Sequence, residues 1–254
     1  MTPPDVDPRR ATPRQVAPPR GARSRVLVVV PAHNEEQSLP ATLAEVRAKA
    51  PGVDLLVVDD GSRDGTARAA CEAGVPVLRH AVNLGVGAAL QTGFRWACEH
   101  DYDIAVQLDA DGQHDPSYLP ALVAPLQEGR CDVAIGSRFV AATGYRAPWS
   151  RRLGMLMFSG VVRLALGRPI SDTTSGFRAY NREVMLVCQY DFPKDFPDAP
   201  LLIALARRGF RLDEVPVVMR ERKAGRSFYT LGKQLYYPYK NLLASLMALI
   251  RSPR

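Results

Sequence analysis

The sequence predicts an α/β fold, with a parallel sheet carrying helices on both faces. Three observations predict it. Short β-branched runs recur at Arg25–Val30, Asp54–Val58, Val75–Leu78, Ile104–Leu108 and Val133–Ile135. Stretches with helix signals alternate with them, and a strand–helix–strand alternation builds a parallel sheet. The runs are apolar without a period of two, as strands covered on both faces are. The chain has 254 residues, 46% hydrophobic and 23% charged. That is ordinary for a soluble globular protein of one large or two small domains.

Each element has a local reason. Residues 1–24 hold six prolines and five arginines with almost no large apolar side chain. Such a stretch cannot bury enough surface to offset its ordering entropy, so a disordered tail is expected. After the first strand, Asn34 is expected to cap a helix with Glu35 and Glu36 in its first turn, ending near Pro51-Gly52. Thr66–Glu72 and Gly87–Glu99 are the next helices. Asp115-Pro116 pairs a cap with proline at the first helical position, so a helix opens there. Trp149–Leu166 has an amphipathic pattern. Gly176–Asn181 is a short strand, and Pro200–Arg208 a helix stopped by Gly209. Phe210–Met219 alternates like a strand, and Pro216 confines it to an edge or a strand end. The domain predicted from this order spans 25–226, followed by a basic, aromatic, amphipathic segment at 227–254.

Charge is unevenly spread over a net +7. Residues 1–25 carry six arginines against Asp5 and Asp7, and residues 220–254 carry eight Lys and Arg against Glu221. The body between them is acidic. A nucleic-acid binder more often places its basic patch on the folded body, so no nucleic-acid partner is expected. Basic ends suit an anionic membrane surface. The C-terminal segment adds Phe228, Tyr229, Tyr236, Tyr237 and Tyr239 before the apolar stretch Leu242–Ile250. This pattern predicts a peripheral protein on the inner face of the membrane, held by lipid or by a small membrane protein. No apolar run reaches the length of a membrane span, and no secretory leader is expected. Cys71, Cys98, Cys131 and Cys188 match no zinc spacing and read as reduced thiols of a cytoplasmic protein.

Ligands of parallel sheets bind beyond the carboxyl ends of the strands. Strand one is followed by Pro31-Ala32-His33-Asn34-Glu35-Glu36, and strand two by Asp59-Asp60-Gly61-Ser62-Arg63-Asp64-Gly65. Strand four is followed by Asp109-Ala110-Asp111-Gly112-Gln113. Three acidic clusters on one edge repel one another unless a cation or a hydroxyl-rich ligand balances them. Two Asp separated by one residue can share a hard cation such as Mg²⁺ or Mn²⁺, which would neutralise a diphosphate. Asp59 or Asp60 could instead accept from a ribose hydroxyl or a base. There is no Gly-x-Gly-x-x-Gly after the first strand, no Walker lysine motif and no Gly-x-Ser-x-Gly elbow. Dinucleotide oxidoreductases, P-loop enzymes and serine hydrolases are thereby excluded.

At these residues the chain resembles the family 2 glycosyltransferases of the GT-A fold, and among them the polyprenyl- and dolichyl-phosphate sugar synthases. The resemblance runs through Val28–Glu35, Val57–Ser62, Asn83-Leu84-Gly85-Val86-Gly87, Gln107–Gln113, Gly136-Ser137-Arg138-Phe139 and Asp172–Arg178. It implies a mixed, mostly parallel sheet and a metal-dependent, inverting transferase. The donor is a nucleotide-sugar and the acceptor a polyprenyl phosphate. It places Pro31, His33, Glu35, Asp59, Asp60, Ala110, Arg138 and Arg222 at the nucleotide and its phosphates. It makes Asp109 and Asp111 the metal pair, with Gln113 as a third ligand. Asp172 and Asp198 are the candidates for a base or for positioning the acceptor, and Asp111 belongs to the catalytic set through the metal. The synthases follow the arginine at 222 with Gly-x-Ser-Lys. Here the last position is Phe228, and Lys223 and Arg226 are the cations nearby. Two alternatives follow: a same-fold transferase acting on a hydroxyl of a cell-wall or surface glycan, and a non-catalytic nucleotide-binding protein.

Overall fold

The computed structural model describes residues 24–140, 170–193 and 199–220. Most of the proline-rich tail, the Trp149–Leu166 stretch, Asp198, Arg222 and the whole C-terminal segment lie outside the described residues.

The described strands form one sheet in the order β3-β2-β1-β4-β6-β5-β7. They are β1 (Val26–Ala32), β2 (Asp54–Asp59), β3 (Val77–Arg79), β4 (Ile104–Gln107), β5 (Val133–Ser137), β6 (Arg178–Asn181) and β7 (Leu212–Pro216). All pairings are parallel except those of β6, which is antiparallel to both β4 and β5. The helices are α1 (Leu39–Lys49), α2 (Thr66–Glu72), α3 (Val86–Glu99), α4 (Leu119–Gln127), α5 (Arg182–Cys188) and α6 (Ala199–Arg207). β7 lies at the sheet edge with Pro216 as its last residue, as expected.

Strand residues alternate between two cores. Leu27, Val29, Leu56, Val58, Ala105, Val133 and Tyr180 pack with α3, α5 and α6. Val28, Val30, Leu55, Val57, Val106 and Ala134 pack with α1, α2 and α4. Both faces are buried, which explains why the strand sequences lack polar alternation. The cysteines suit this reading: Cys98, Cys131 and Cys188 are buried free thiols, and burial pushes Cys131 up to about 12.

One local expectation is corrected, one is refined, and one helix is added. Asn34 does not cap α1; its φ is +56°, the left-handed region that Asn tolerates. The helix begins five residues later, after Ser38, with Pro40 in its first turn. Glu35 and Glu36 therefore belong to a loop. The segment after Asp115 opens as a 3₁₀ turn, Pro116–Tyr118, before α4; the Asp115 cap is real and accepts from the Ser117 amide at 2.9 Å. Helix α5 was not anticipated. Asn181 caps it by accepting from the Val184 amide at 2.9 Å.

Register brings the loops together. Ala32 pairs with Asp59, Asp59 with Arg79, and Val29 with Gln107. β6 runs backwards, so the segment entering it at Arg178 lies beside Gln107. Ser137 pairs with Pro216. The segments 33–36, 60–66, 80–85, 109–114, 138, 172–177 and 217–220 thus meet at one edge.

Candidate active site

The first two loops are fastened to each other. The Asn34 amide donates to Ser62 Oγ at 2.9 Å, and the Arg63 amide donates to Asn34 Oδ1 at 2.9 Å. The Glu35 amide donates to Thr66 Oγ1 at 2.8 Å, and Glu36 Oε2 accepts from the Gly65 amide at 2.8 Å. Asn34 Nδ2 donates to His33 Nε2, so His33 carries its proton on Nδ1 and donates it to the Asp60 carbonyl at 2.8 Å. These loops, with Arg79, His80, Ala81, Val82 and Asn83, line a cleft of about 780 Å³.

The two neighbouring aspartates have different surroundings. Asp60 is enclosed: its carboxylate accepts from the amides of Leu84 and Gly85 at 2.9 and 2.8 Å and from His80 Nδ1 at 2.8 Å. His80 Nε2 accepts in turn from Thr92 Oγ1 at 2.9 Å. Asp60 therefore holds the Asn83–Gly87 loop beside the start of α3. Gly61 completes the joint. Its φ is +68°, and a Cβ there would sit 2.5 Å from the Val82 carbonyl carbon. Asp59 is fully buried, with Oδ1 accepting from the Ser62 amide at 3.0 Å. Its Oδ2 has no hydrogen-bond partner among the described residues, although the Arg79 Nε lies 3.0 Å away as an ion pair without hydrogen-bond alignment.

The third loop carries the Asp-x-Asp pair. Asp109 is 39% exposed, with the His114 Nε2 at 3.7 Å from its Oδ2. His114 is buried, stacks on Phe177 at 5.0 Å, and accepts the Asp109 amide on Nδ1 at 3.1 Å, so its proton sits on Nε2. Asp111 accepts from the Gln113 amide at 3.0 Å. The Ala110 carbonyl accepts from Thr42 Oγ1 at 3.0 Å, tying the loop to α1. Gln113 turns its amide nitrogen toward the Arg220 carbonyl at 3.4 Å. Among the described residues no three His, Cys, Asp or Glu side chains converge as a cage. Two carboxylates completed by substrate phosphates are nevertheless a usual donor set for Mg²⁺.

Opposite lies a pair that long-range folding creates. Asp172 is 1% exposed and accepts from Arg138 Nε and Nη2, each at 2.7 Å, and from the Arg138 amide at 3.1 Å. Arg138 Nη2 also donates to Thr174 Oγ1 at 2.9 Å. Behind them Glu214 of β7 accepts the amides of Ser171 and Asp172 at 2.8 and 2.9 Å. Gly176 closes this segment onto the Asp-x-Asp loop: a Cβ there would lie 3.1 Å from both Asp109 Oδ2 and Gln107 Nε2.

The structure thus brings Pro31, His33, Glu35, Asp59, Asp60, Asp109, Ala110, Asp111, Gln113, Arg138 and Asp172 to one edge. Asp198 and Arg222 lie outside the described residues. Reading the sequence missed Arg79 and His80, which line the cleft, and Glu214 and Arg220, which hold loops. Their position at the end of β3 and just past it, on β7 and just beyond it was the available signal.

Residues 27–186 match Glycosyl transferase family 2. The chain belongs to this family. Its relatives include the undecaprenyl-phosphate mannosyltransferase of Micrococcus luteus, 38% identical over 80% of this chain and 86% of that protein. The polyprenol monophosphomannose synthase of Mycolicibacterium smegmatis is 37% identical over 79% of each. Among solved structures, glucosyl-3-phosphoglycerate synthase of Mycobacterium tuberculosis, crystallised with Mn²⁺, UDP-glucose and phosphoglyceric acid, superposes with a TM-score of 0.65. It is 23% identical and covers 89% of this chain and 79% of that one, a likeness of fold. The chain is a family 2 glycosyltransferase with a GT-A sheet, as the motifs implied. Among its described residues no helix is long and apolar enough to cross a membrane.

Proposed function

We propose that this glycosyltransferase moves a sugar, with inversion, from a nucleotide-sugar donor to a polyprenyl phosphate at the inner membrane surface. The observation that carries the reading is the meeting, at one sheet edge, of the cleft beside Asp59, the Asp109/Asp111 pair and the Arg138–Asp172 pair. The names of the two curated relatives support the acceptor. The nucleoside would lie in the cleft, with the buried Asp59 Oδ2 offering an acceptor to a donor group of the base or ribose. Asp109 and Asp111 would hold Mg²⁺ or Mn²⁺, which when bound stabilises the charge of the departing diphosphate.

A phosphate oxygen of the acceptor attacks the anomeric carbon, and the bond from that carbon to the diphosphate breaks with its electron pair leaving on the nucleoside diphosphate. A phosphate monoester has a second pKa of about 6 and is already anionic at pH 7. It needs cations more than a base. Asp172 suits this division of labour, because both its oxygens are engaged by Arg138. We assign it to positioning Arg138 toward the phosphates. Arg222, which the resemblance sets at the nucleotide and its phosphates, would add a further cation there.

Phe228, where the synthases carry lysine, favours a second reading in which the acceptor is a glycan hydroxyl. The test incubates the full chain with radiolabelled nucleotide-sugars, Mn²⁺ and either undecaprenyl phosphate or a glycan. Label in an organic-extractable, acid-labile lipid supports the first reading. Label only in the glycan replaces it with the second. Binding without any transfer or donor hydrolysis would support a non-catalytic protein.

A further inference from the structure

Strand β7 carries a charge where its pattern calls for an apolar residue. Leu212 and Glu214 are two residues apart, so they share a face of the sheet, and Leu212 is buried in the core on that face. Glu214 pairs with Ile135 of β5, which pairs on its other side with Arg178 of β6. Cross-strand partners share a face, so the three side chains stand in one row with the buried Ile135 in the middle. Two strand spacings set Glu214 and Arg178 about 10 Å apart. A carboxylate or a guanidinium on a core-facing row is costly unless hydrogen bonds satisfy it.

Both groups take partners from one loop, with opposite polarity. Glu214 accepts the amide of Ser171 on Oε2 at 2.8 Å and the amide of Asp172 on Oε1 at 2.9 Å. Arg178, 1% exposed, donates through Nη2 to the Thr173 carbonyl at 2.8 Å. The backbone of three consecutive residues, 171–173, is thus gripped from the sheet. The grip fixes what the loop carries. Asp172 engages Arg138, which stands one residue past β5. Gly176 of the same loop lies against Asp109, where a Cβ would come within 3.1 Å of Oδ2. The carboxylate of Glu214 is needed in kind, because each of its oxygens serves one amide. A glutamine has the same shape but only one acceptor oxygen, and it would turn a donor against the second amide.

We propose that Glu214, together with Arg178, is a positioning residue that sets Arg138 against the departing diphosphate by gripping the backbone that carries Asp172. It touches no substrate and acts only through Asp172. The proposal rests on the reading that Arg138 faces the phosphates. Misplacing a reacting group by about one ångström can cost about 100-fold in rate. A slackened loop is therefore felt as lost turnover at saturating substrate.

The experiment compares the full chain with Glu214→Gln, Glu214→Asp, Asp172→Asn, Arg138→Lys and the double variant Glu214→Gln/Arg138→Lys. Turnover with undecaprenyl phosphate and Mn²⁺, Tm, and the ¹H–¹⁵N signal of the Arg138 Nε–H are measured. That signal is identified by its loss in Arg138→Lys. Glu214→Gln is expected to lower kcat about tenfold and to shift the Arg138 signal toward its position in Asp172→Asn. Glu214→Asp keeps both oxygens but sets them one methylene back, and should fall between, so either variant carries the test. In the double variant, Glu214→Gln should cost less than about twofold beyond Arg138→Lys, because residues acting as one unit are not additive. The proposal is overturned if the Arg138 signal stays in place in both Glu214 variants, if the two turnover losses multiply, or if Tm alone falls. If the unaltered chain transfers no sugar to undecaprenyl phosphate, the functional reading fails, and the Arg138 signal still decides whether Glu214 sets that side chain.

Discussion

The proposed nucleoside half of the site and the proposed acceptor half are held by different physics. Around the cleft, neighbouring loops satisfy each other with short neutral hydrogen bonds and backbone contacts: Asn34 with Ser62 and Arg63, Glu35 with Thr66, His33 with the Asp60 carbonyl. Across the edge, segments are held by charged side chains: Arg138 on Asp172, Glu214 on the amides of Ser171 and Asp172, Arg220 on Glu45. Hydrogen bonds between packed loops respond little to salt. Partly exposed ion pairs are screened by salt.

The Asp-x-Asp loop is the seam between the halves, and removing a carboxylate there should have the largest effect. Asp111→Asn is expected to reduce kcat by about 10²–10³-fold or more, since the charge on the leaving group loses its stabilisation. The fold should survive. Near-normal turnover of both Asp109→Asn and Asp111→Asn in metal-supplemented buffer would remove the metal from the proposal.

Asp172→Asn breaks the acceptor half at its buried pair. It leaves the Arg138 guanidinium facing a neutral amide, and losing one partner of a buried pair costs about 3–5 kcal/mol. Arg138 is 18% exposed, so water relieves part of this and about 2–3 kcal/mol is expected. Urea denaturation measures it. A loss under about 0.5 kcal/mol would mean that Arg138 finds another partner without cost.

The matching break in the nucleoside half is Asp60→Ala, which strips an acceptor from Leu84, Gly85 and His80. Buried donors left without partners cost about 1–3 kcal/mol. Both carboxylates are buried, so neither loss should change much between 50 mM and 500 mM salt, whereas the contribution of the partly exposed Arg220–Glu45 pair should shrink. A salt-insensitive Arg220 contribution would erase the distinction between the halves. Asp59→Ala should do less to stability and more to donor affinity, raising donor KM about tenfold with kcat nearly kept. A collapsed kcat at constant KM would move Asp59 to the reaction centre.

The same division explains what was legible in the sequence. Strands β1, β2 and β4 are apolar runs, and their loops carry acids at fixed offsets, so both elements and loop chemistry can be read locally. What failed locally was Asn34, a good cap by type that instead adopts φ +56° because Ser62 and Arg63 offer it better partners. Asp59 and Asp60 are indistinguishable as letters, and only the fold makes one an anchor for the Gly85 loop and leaves the other with an oxygen that is ion-paired to Arg79 but not hydrogen-bonded among the described residues. The side-chain contacts are local on neither side: the Asn34–Ser62 bond spans 28 residues, the Arg138–Asp172 pair 34 and the Arg220–Glu45 pair 175. The motif placed Arg138 and Asp172 at the site but gave no sign that they face each other. The antiparallel sense of β6, which brings them together, has no signature in a four-residue strand.

The smallest expected effect is the acid response of the ring in which Arg220 and Lys49 each bridge Glu45 and Asp115. Hydrogen bonds from Lys49, then from Arg220, outweigh burial and hold Glu45 below its usual range. Burial alone would raise Asp115, but hydrogen bonds from Ser117, Lys49 and Arg220 overturn it and hold Asp115 well below the usual carboxylate range. A carboxylate whose folded value is depressed contributes stability that is fully present above its unfolded value and is lost as pH falls through the folded one. The ordinary values are 4.5 for Glu45 and 3.8 for Asp115, so the loss begins below about pH 4.5 and deepens toward lower pH. Lys49 and Arg220 are raised by the same contacts, so their contribution fades only at strongly alkaline pH. Between these limits the ring is indifferent to pH. Its groups are near the surface, so solvent screening limits the acid loss to about 1 kcal/mol. Arg220→Gln removes one of the two cations and should lower stability at pH 7 by a few tenths to about 1 kcal/mol, with a shallower decline below pH 4.5. Urea denaturation midpoints of both proteins from pH 3 to 8 measure the difference. Two curves that stay parallel through pH 4.5 would show that Arg220 does not set the ionisation of Glu45 and Asp115. The acceptor half would then be held at this point by the Arg220 backbone contacts to Gln113, as the nucleoside half is.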